Sequence, residues 1–334
     1  MNRKIMMVLS AGALMALLGT ACAGSYDARP METAPGKASA QPQNVSKGKV
    51  KVYFTKDISP EGMMKAYKAM GWTSEGKTGV KLSTGESVRT NYLRPELIKS
   101  VVQEVNGTIV ECNTAYGGNR SNSASHWNEI RKRGYLDIAP VDIQDEEGTM
   151  ALPAPVGGKW LKENIVGNHF KNYNSYLVLS HFKGHAMAGF GGALKNMAIG
   201  FASGDGKMNI HSGGNPANGW GTEQNQFLES MAEADKTIMD AMGTHIAFIN
   251  VLNRISIDCD CDANPAEPDI HDIGIVASLD PVAADQAGID LVSKAERNEA
   301  LINRIRQKNG LHVLEAAETL GVGMREYELI DLDQ

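Results

Sequence analysis

Cysteine is scarce in this chain. Cys22, Cys112, Cys259 and Cys261 are its 4 thiols in 334 residues, too few for the disulfide framework that staples small exported domains. Basic residues are outnumbered, 33 Lys and Arg against 39 Asp and Glu, so the cationic surplus that nucleic-acid binding requires is missing. No apolar run reaches the roughly 20 residues of a membrane span. There is no G-x-S-x-G elbow and no H-E-x-x-H pair, so serine-hydrolase and zincin chemistry have no motif to rest on. No sequence repeat is present.

What is there begins with an export signal. Arg3 and Lys4 are followed by the uncharged apolar stretch Ile5 to Leu18 and then by Gly19-Thr20-Ala21-Cys22. The stretch is too short for a membrane span. The small residues before Cys22 fit a lipoprotein box in which Cys22 becomes the acylated N-terminus. Ala21-Cys22-Ala23 also fits an A-x-A site of ordinary secretion. A polar tether containing Pro, Ala and Gln follows. The expectation is a signal over residues 1–22, a flexible tether over 23–48 and an α/β domain over 49–334. The mature protein would then be anchored to an envelope membrane through lipid on Cys22. Only three thiols would remain, and at most one pair of them can close.

Strand and helix signals alternate from there on. Lys49 to Thr55 alternates apolar and charged residues as a strand does. Ser59, with Pro60 and Glu61 behind it, opens a helix to Met70. Thr108 to Cys112 is a β-branched strand, and Ser125 to Arg133 is helical. A long helix spans Glu223 to Met242, with Phe227, Met231, Ala234, Ile238 and Met242 at helical spacing. Strand Ile246 to Leu252 follows it, and Asp280-Pro281 starts another helix. This order predicts a mixed, largely parallel sheet with helices on both faces, in one body or in two lobes around a cleft.

The richest stretch runs from Tyr176 to His211. Apolar Tyr176 to Leu179 stops abruptly, and His181, Lys183 and His185 follow at every second position. If the strand continues, these three share one face and can bind an anion, a carbonyl or a metal. The alternative is a polar strand end wetted by solvent. Gly189, Gly191 and Gly192 then open a helix carrying Lys195 and Asn196. A glycine-rich loop at a helix start aims backbone N–H groups at an anion, so Lys183 and Lys195 are expected to hold one there. Lys195 pointing to water is the other reading. This is no phosphate P-loop, because Phe190 stands where that motif needs lysine. Lys207 and His211 lie beyond Gly204 and Gly206, which predict a mobile stretch.

Two further clusters stand out. Asp258-Cys259-Asp260-Cys261-Asp262 in an extended segment would put three carboxylates on one face and two thiols on the other. Such carboxylates repel unless a cation or a proton sits among them. The thiols can share a soft metal or oxidise to a strained disulfide. A solvated acidic loop is the plain alternative. Asn113 to His126 leaves the end of the Thr108 strand, where α/β sheets place ligands. Tyr116, Arg120 and His126 are its candidate contacts to an anion, against the reading of an ordinary polar surface loop.

Several segments together resemble the bacterial and archaeal family called domain of unknown function 362. They are VKLSTGE (Val80 to Glu86), NTAYGGNRSNSASH (Asn113 to His126) and HFKGHAMAGFGGALKNMAIGFASGDGK (His181 to Lys207). INVLNRISIDCDC (Ile249 to Cys261) and DIGIVASLDPVAADQAGIDLV (Asp272 to Val292) complete the set. The resemblance implies an α/β fold. It also implies, for many relatives, a ferredoxin module with two four-iron, four-sulfur clusters between the KNM helix and the CDC segment. Here that interval, Gly213 to Gly243, contains no cysteine, so the ligands of such clusters are absent from it.

The functional expectation is an envelope enzyme that depends on a metal ion or an anionic ligand. His181, Lys183 and His185 would be catalytic. Tyr116, Arg120, His126, Lys195, Asn196, Lys207 and His211 would bind the ligand, and Cys259, Cys261, Asp258 and Asp260 the metal. The two thiols are expected to meet both His181 and His185, because both motifs leave apolar strands at one sheet edge. The alternatives are a redox or binding protein serving a partner, and a solute-binding module.

Overall fold

Local chemistry explains where the elements begin. Ser59 caps its helix by accepting from the Gly62 amide at 3.1 Å, and Pro60 occupies the first turn, where a missing N–H costs nothing. Asp280 likewise accepts from the Val282 and Ala283 amides, both at 2.9 Å. The computed structural model describes residues 49–334. The expected export signal, the lipidation site Cys22 and the tether lie outside the described residues.

In chain order the elements are β1 (Val50–Thr55), α1 (Pro60–Ala69), β2 (Thr78–Lys81), α2 (Pro95–Glu104), β3 (Thr108–Glu111), α3 (Ser123–Lys132) and β4 (Val141–Ile143). Then come β5 (Thr149–Pro153), β6 (Glu163–Gly167), β7 (Ser175–His181), β8 (Lys183–His185), β9 (Gly189–Gly191), α4 (Ala193–Phe201), α5 (Gly204–His211) and α6 (Gln224–Met242). β10 (Ile246–Leu252), β11 (Gly274–Ser278), α7 (Pro281–Lys294), α8 (Glu299–Gln307), α9 (His312–Thr319) and β12 (Tyr327–Asp331) complete the chain.

Eight strands form one sheet in the order β12-β1-β11-β10-β7-β2-β3-β4. Every strand but β11 runs in one direction. The chain lays β2, β3 and β4 outward to one side, returns to place β7 beside β2, and then adds β10 on the other side. The gap between β2 and β7 is therefore the switch point, and ligands of open α/β sheets bind at the carboxyl end of such a gap. One continuous sheet carries the site loops, so the cleft follows a sheet edge rather than a junction of two lobes.

Side-chain alternation divides the core. Tyr176 and Val178 of β7 pack with α4, α6, α7 and α9 on one face. Leu177 and Leu179 pack with α1 and α2 on the other. Burial on both faces explains why β7 and β10 read as continuous apolar runs. Two features differ from expectation. The stretch after Gly204 is the regular helix α5, capped by Ser203 accepting from the Gly206 amide at 3.2 Å. The hairpin of β5 and β6 lies in a segment where the sequence carries no sharp strand signal.

Candidate functional site

The segments that leave β2, β3, β7 and β10 at their carboxyl ends converge on one cavity of about 250 Å³. Its wall includes Ser83 after β2, Tyr116 and Arg120 after β3, His181 at the end of β7 with Lys183 and His185 beyond it, and Cys259 and Cys261 after β10. Backbone contacts tie these loops together. The Glu86 amide donates to the Asp260 carbonyl at 2.7 Å, and the Gly184 amide to the Ser256 carbonyl at 2.8 Å. Glycine is required at 184, since a Cβ there would meet the Ile257 carbonyl oxygen at 2.0 Å. The strand does not simply continue through His181. It breaks at Phe182, whose ring stacks on Phe190, and Lys183 to His185 pair with β9 instead. The every-second-residue pattern still directs all three polar side chains to the cavity.

His185, Cys259 and Cys261 form the tightest group, with their ligand atoms all within 4.8 Å of one another. Cys259 to Asp262 is a turn, closed by the Asp262 amide donating to the Cys259 carbonyl at 2.9 Å. This turn replaces the extended segment the alternation suggested. Both sulfurs face the cavity, and the Cys261 amide approaches Cys259 Sγ at 3.3 Å. A hydrogen bond from Cys261 holds the Cys259 thiol well below its ordinary range against the opposing effect of burial, with help from Lys195, His185 and Lys183. Cys261 is pushed up by the same hydrogen bond and by burial. Of the two thiols, Cys259 is thus the one favoured to lose its proton first. His185 is lowered to about 4, mainly by burial and then by Lys195, so its ring is neutral. Its Nδ1 accepts from the Met187 and Ala188 amides at 3.1 and 2.9 Å. That leaves the ring proton on Nε2, the nitrogen free to meet the sulfurs.

His181 does not join this group. Its Nδ1 lies 2.9 Å from Asp260 Oδ2 and its Nε2 lies 2.7 Å from the Asn253 carbonyl. Both partners only accept, so the ring donates twice. Lys183 Nζ reaches the same carboxylate oxygen at 3.1 Å. Burial alone would raise Asp260, but His181 and Lys183 outweigh it and hold the carboxyl below its ordinary value. The expectation of two thiolates and two imidazoles around one ion thus reduces to two sulfurs and one imidazole. Asp260 is spent as a counter-ion. Asp258 stands aside, accepting from the Ala266 amide at 3.1 Å.

Arg120 is buried and fully engaged. It donates to Glu86 at 3.1 Å, Glu111 at 2.6 Å, Ser83 at 3.2 Å and the Tyr116 hydroxyl at 3.1 Å. It holds the Asn113–Asn122 loop and presents Tyr116 between this cavity and an adjoining outer one. His126 lies behind Glu111, 3.0 Å from Oε2 and 3.1 Å from Asn113 Oδ1. It is fully buried and does not reach the cavity, which corrects its reading as a ligand contact.

The anion at the N-terminus of α4 is internal. Asp285 of α7 accepts from the Ala193 and Leu194 amides at 2.7 and 3.0 Å and from Asn250 at 2.8 Å. A Cβ on Gly192 would meet that carboxylate at 2.2 Å. No external anion is needed at the helix start, and Lys183 already has Asp260. Asn196 is a cross-link, donating to the Leu179 carbonyl at 2.9 Å and Ser180 Oγ at 3.1 Å while accepting from Lys81 Nζ at 3.1 Å. It bridges β2 and β7 at the switch point. Lys81, Glu86, Glu111 and Asp285 were not singled out by the sequence reading. A charged residue ending a short apolar strand, as Lys81 and Glu111 do, was the available signal.

Fold and site together define an α/β protein with a lysine-rich, thiol-bearing cavity at the carboxyl edge of a mostly parallel sheet. Residues 79–290 match the family model described as domain of unknown function, DUF362, and the chain belongs to that family. The match spans all four cavity-forming segments. No curated protein matches the chain significantly. Among solved structures, it is similar to the lactate racemase apoprotein from Thermoanaerobacterium thermosaccharolyticum, with 14% identity, a TM-score of 0.44, and coverage of 74% of this chain and 57% of that one. It is also similar to a protein from Thermotoga maritima, with 13% identity, a TM-score of 0.39, and coverage of 78% and 58%. The chain thus spans a little over half the length of either structure.

Proposed function

We propose that this protein is an enzyme for a small anionic substrate, with a soft metal ion held by Cys259, Cys261 and His185. The observation that carries the reading is the approach of three ligand atoms to within 4.8 Å on the wall of a lysine-rich cavity. Tetrahedral zinc, with Zn–S about 2.3 Å and Zn–N about 2.0 Å, spaces its ligand atoms roughly 3.5 Å apart, so side-chain adjustment alone would close the group. The fourth position would face the cavity, and three-ligand sites of that kind are the catalytic ones. Metal analysis of the purified protein is expected to find one equivalent, lost in Cys259→Ser and in Cys261→Ser.

The two amides on His185 Nδ1 favour a second reading. Metal-bound histidines usually donate from their second nitrogen, whereas this one accepts. A ring with its proton on Nε2 suits a hydrogen bond to the Cys259 thiolate, and the two thiols would then work as a metal-free dithiol–disulfide pair. A metal-free protein whose mass falls reversibly by two hydrogen atoms on oxidation would select this reading over the first.

Export and a lipid anchor on Cys22 belong to the same proposal, supported by the charged start, the short apolar run and the small residues before Cys22. Intact-mass measurement of mature protein is expected to show acylated Cys22 as the first residue. A free N-terminus at Gly24 would mean ordinary secretion.

A further inference from the structure

The charges around the cavity do not balance. Lys183 is matched by Asp260, and Arg120 by Glu86 and Glu111. Two other lysines line the same wall. Lys195 has no hydrogen bond or ion pair among the described residues. Lys207, only 7% exposed, donates to the Ala202 carbonyl and has no carboxylate within ion-pair distance among the described residues. The stems of Lys183 and Lys195 both pass Gly191, where a Cβ would meet them at 3.7 and 3.3 Å. A buried cation without a counter-charge is costly, and a ligand that supplies the charge relieves part of that cost.

His211 adds a hydrogen-bond acceptor. Its Nδ1 donates to the Lys207 carbonyl at 2.7 Å. The ring lies against Phe227 and Trp220 at centroid distances of 4.8 and 4.7 Å. It is 6% exposed, and its Nε2 has no partner among the described residues. With the proton on Nδ1, Nε2 can only accept. Trp220, 42% exposed, completes the cavity wall beside it. A cavity volume of about 250 Å³ limits the ligand to a small molecule.

We propose that the cavity binds a small hydroxyl-bearing dianion, its two charges met by Lys195 and Lys207 and its hydroxyl donating to His211 Nε2. This inference rests on the reading of the cavity as a substrate site and names the substrate class. It does not depend on the metal.

The test uses the full mature chain and three dianions, malate, succinate and inorganic phosphate, with acetate as a monoanion control. Thermal shift and calorimetric titration are measured on wild type, Lys195→Gln, Lys207→Gln and the exposed-lysine control Lys162→Gln. At least one dianion is expected to bind wild type and Lys162→Gln equally, and at least about tenfold more weakly to each cavity variant, with affinity falling as salt rises. A preference for malate over succinate reports the hydroxyl, and a preference for phosphate identifies a phosphate ester. If Lys207→Gln does not fold, Lys195→Gln, at a half-buried position, carries the test. The proposal is overturned if no dianion stabilises wild type beyond acetate, or if the cavity variants bind as wild type does. Repeating the titration on Cys259→Ser/Cys261→Ser separates the two ideas. Unchanged dianion binding in that variant shows that the dianion site stands without the metal, whereas a metal-free wild type that still binds the dianion sinks the metal reading and leaves this one standing.

Discussion

Asp260→Asn is expected to destabilise the protein by about 3–5 kcal/mol at neutral pH, the range for breaking a buried ion pair from one side. Asp260 is 1% exposed and is the only carboxylate paired with His181 and Lys183 among the described residues. The amide keeps the shape and one acceptor but not the charge, so two buried donors lose their counter-ion. The pH dependence follows from the direction of the shift. His181 and Lys183 hold the Asp260 carboxyl below its ordinary value in the folded state. Its contribution is therefore fully present above the unfolded value of about 3.9 and is lost as pH falls below it toward the folded value. Urea unfolding of wild type and variant at pH 7 and pH 3 checks this. The stability gap should narrow at the lower pH, and a gap under about 1 kcal/mol at pH 7 would refute the ion-pair account.

Arg120→Ala is expected to cost a similar amount, about 3–5 kcal/mol, through the opposite charge. Removing the guanidinium leaves Glu86 and Glu111, both buried, without their shared cation. Burial tends to raise Glu111, and Arg120, His126 and Lys81 together hold it well below its ordinary value. With Arg120 gone, His126 and Lys81 remain, so a second substitution, Glu111→Gln, should recover part of the loss by removing the stranded charge. The double variant is expected to be more stable than Arg120→Ala alone, with a coupling of about 1–3 kcal/mol in a double-mutant cycle. The Tyr116 loop hangs on the same guanidinium, so dianion binding should weaken as well. Additive losses would show that Arg120 fills space rather than neutralising charge.

The strand ends that line the candidate cavity were legible from the residues. Apolar runs that end in polar motifs, as at Leu179-Ser180-His181 and Leu252-Asn253-Arg254, mark strand ends. In a largely parallel sheet those ends share an edge. The adjacency of β7 and β10, with Val251 beside His181, follows from that logic. Caps at Ser59 and Asp280 and the helical spacing from Phe227 to Met242 are equally local, which is why the sequence by itself determined the fold class and many of the elements, though not the β5–β6 hairpin, the β8–β9 hairpin or helix α5. The partners of the charged groups were decided only by the tertiary structure. Asp285 satisfies the start of α4 from 92 positions away, and Asp260 neutralises His181 from 79. Glu86, in the segment that leaves the neighbouring strand β2, anchors Arg120 from 34 positions away. A carboxylate's charge is spent on whatever cation the fold brings within a few ångströms, and no local pattern encodes that distance. His181 therefore read as a metal ligand and is an ion-pair donor, and Lys183 read as the free cation and is matched. Among the described cations that line the cavity, Lys195 and Lys207 are left without an ion pair, because the fold sends the nearby carboxylates elsewhere.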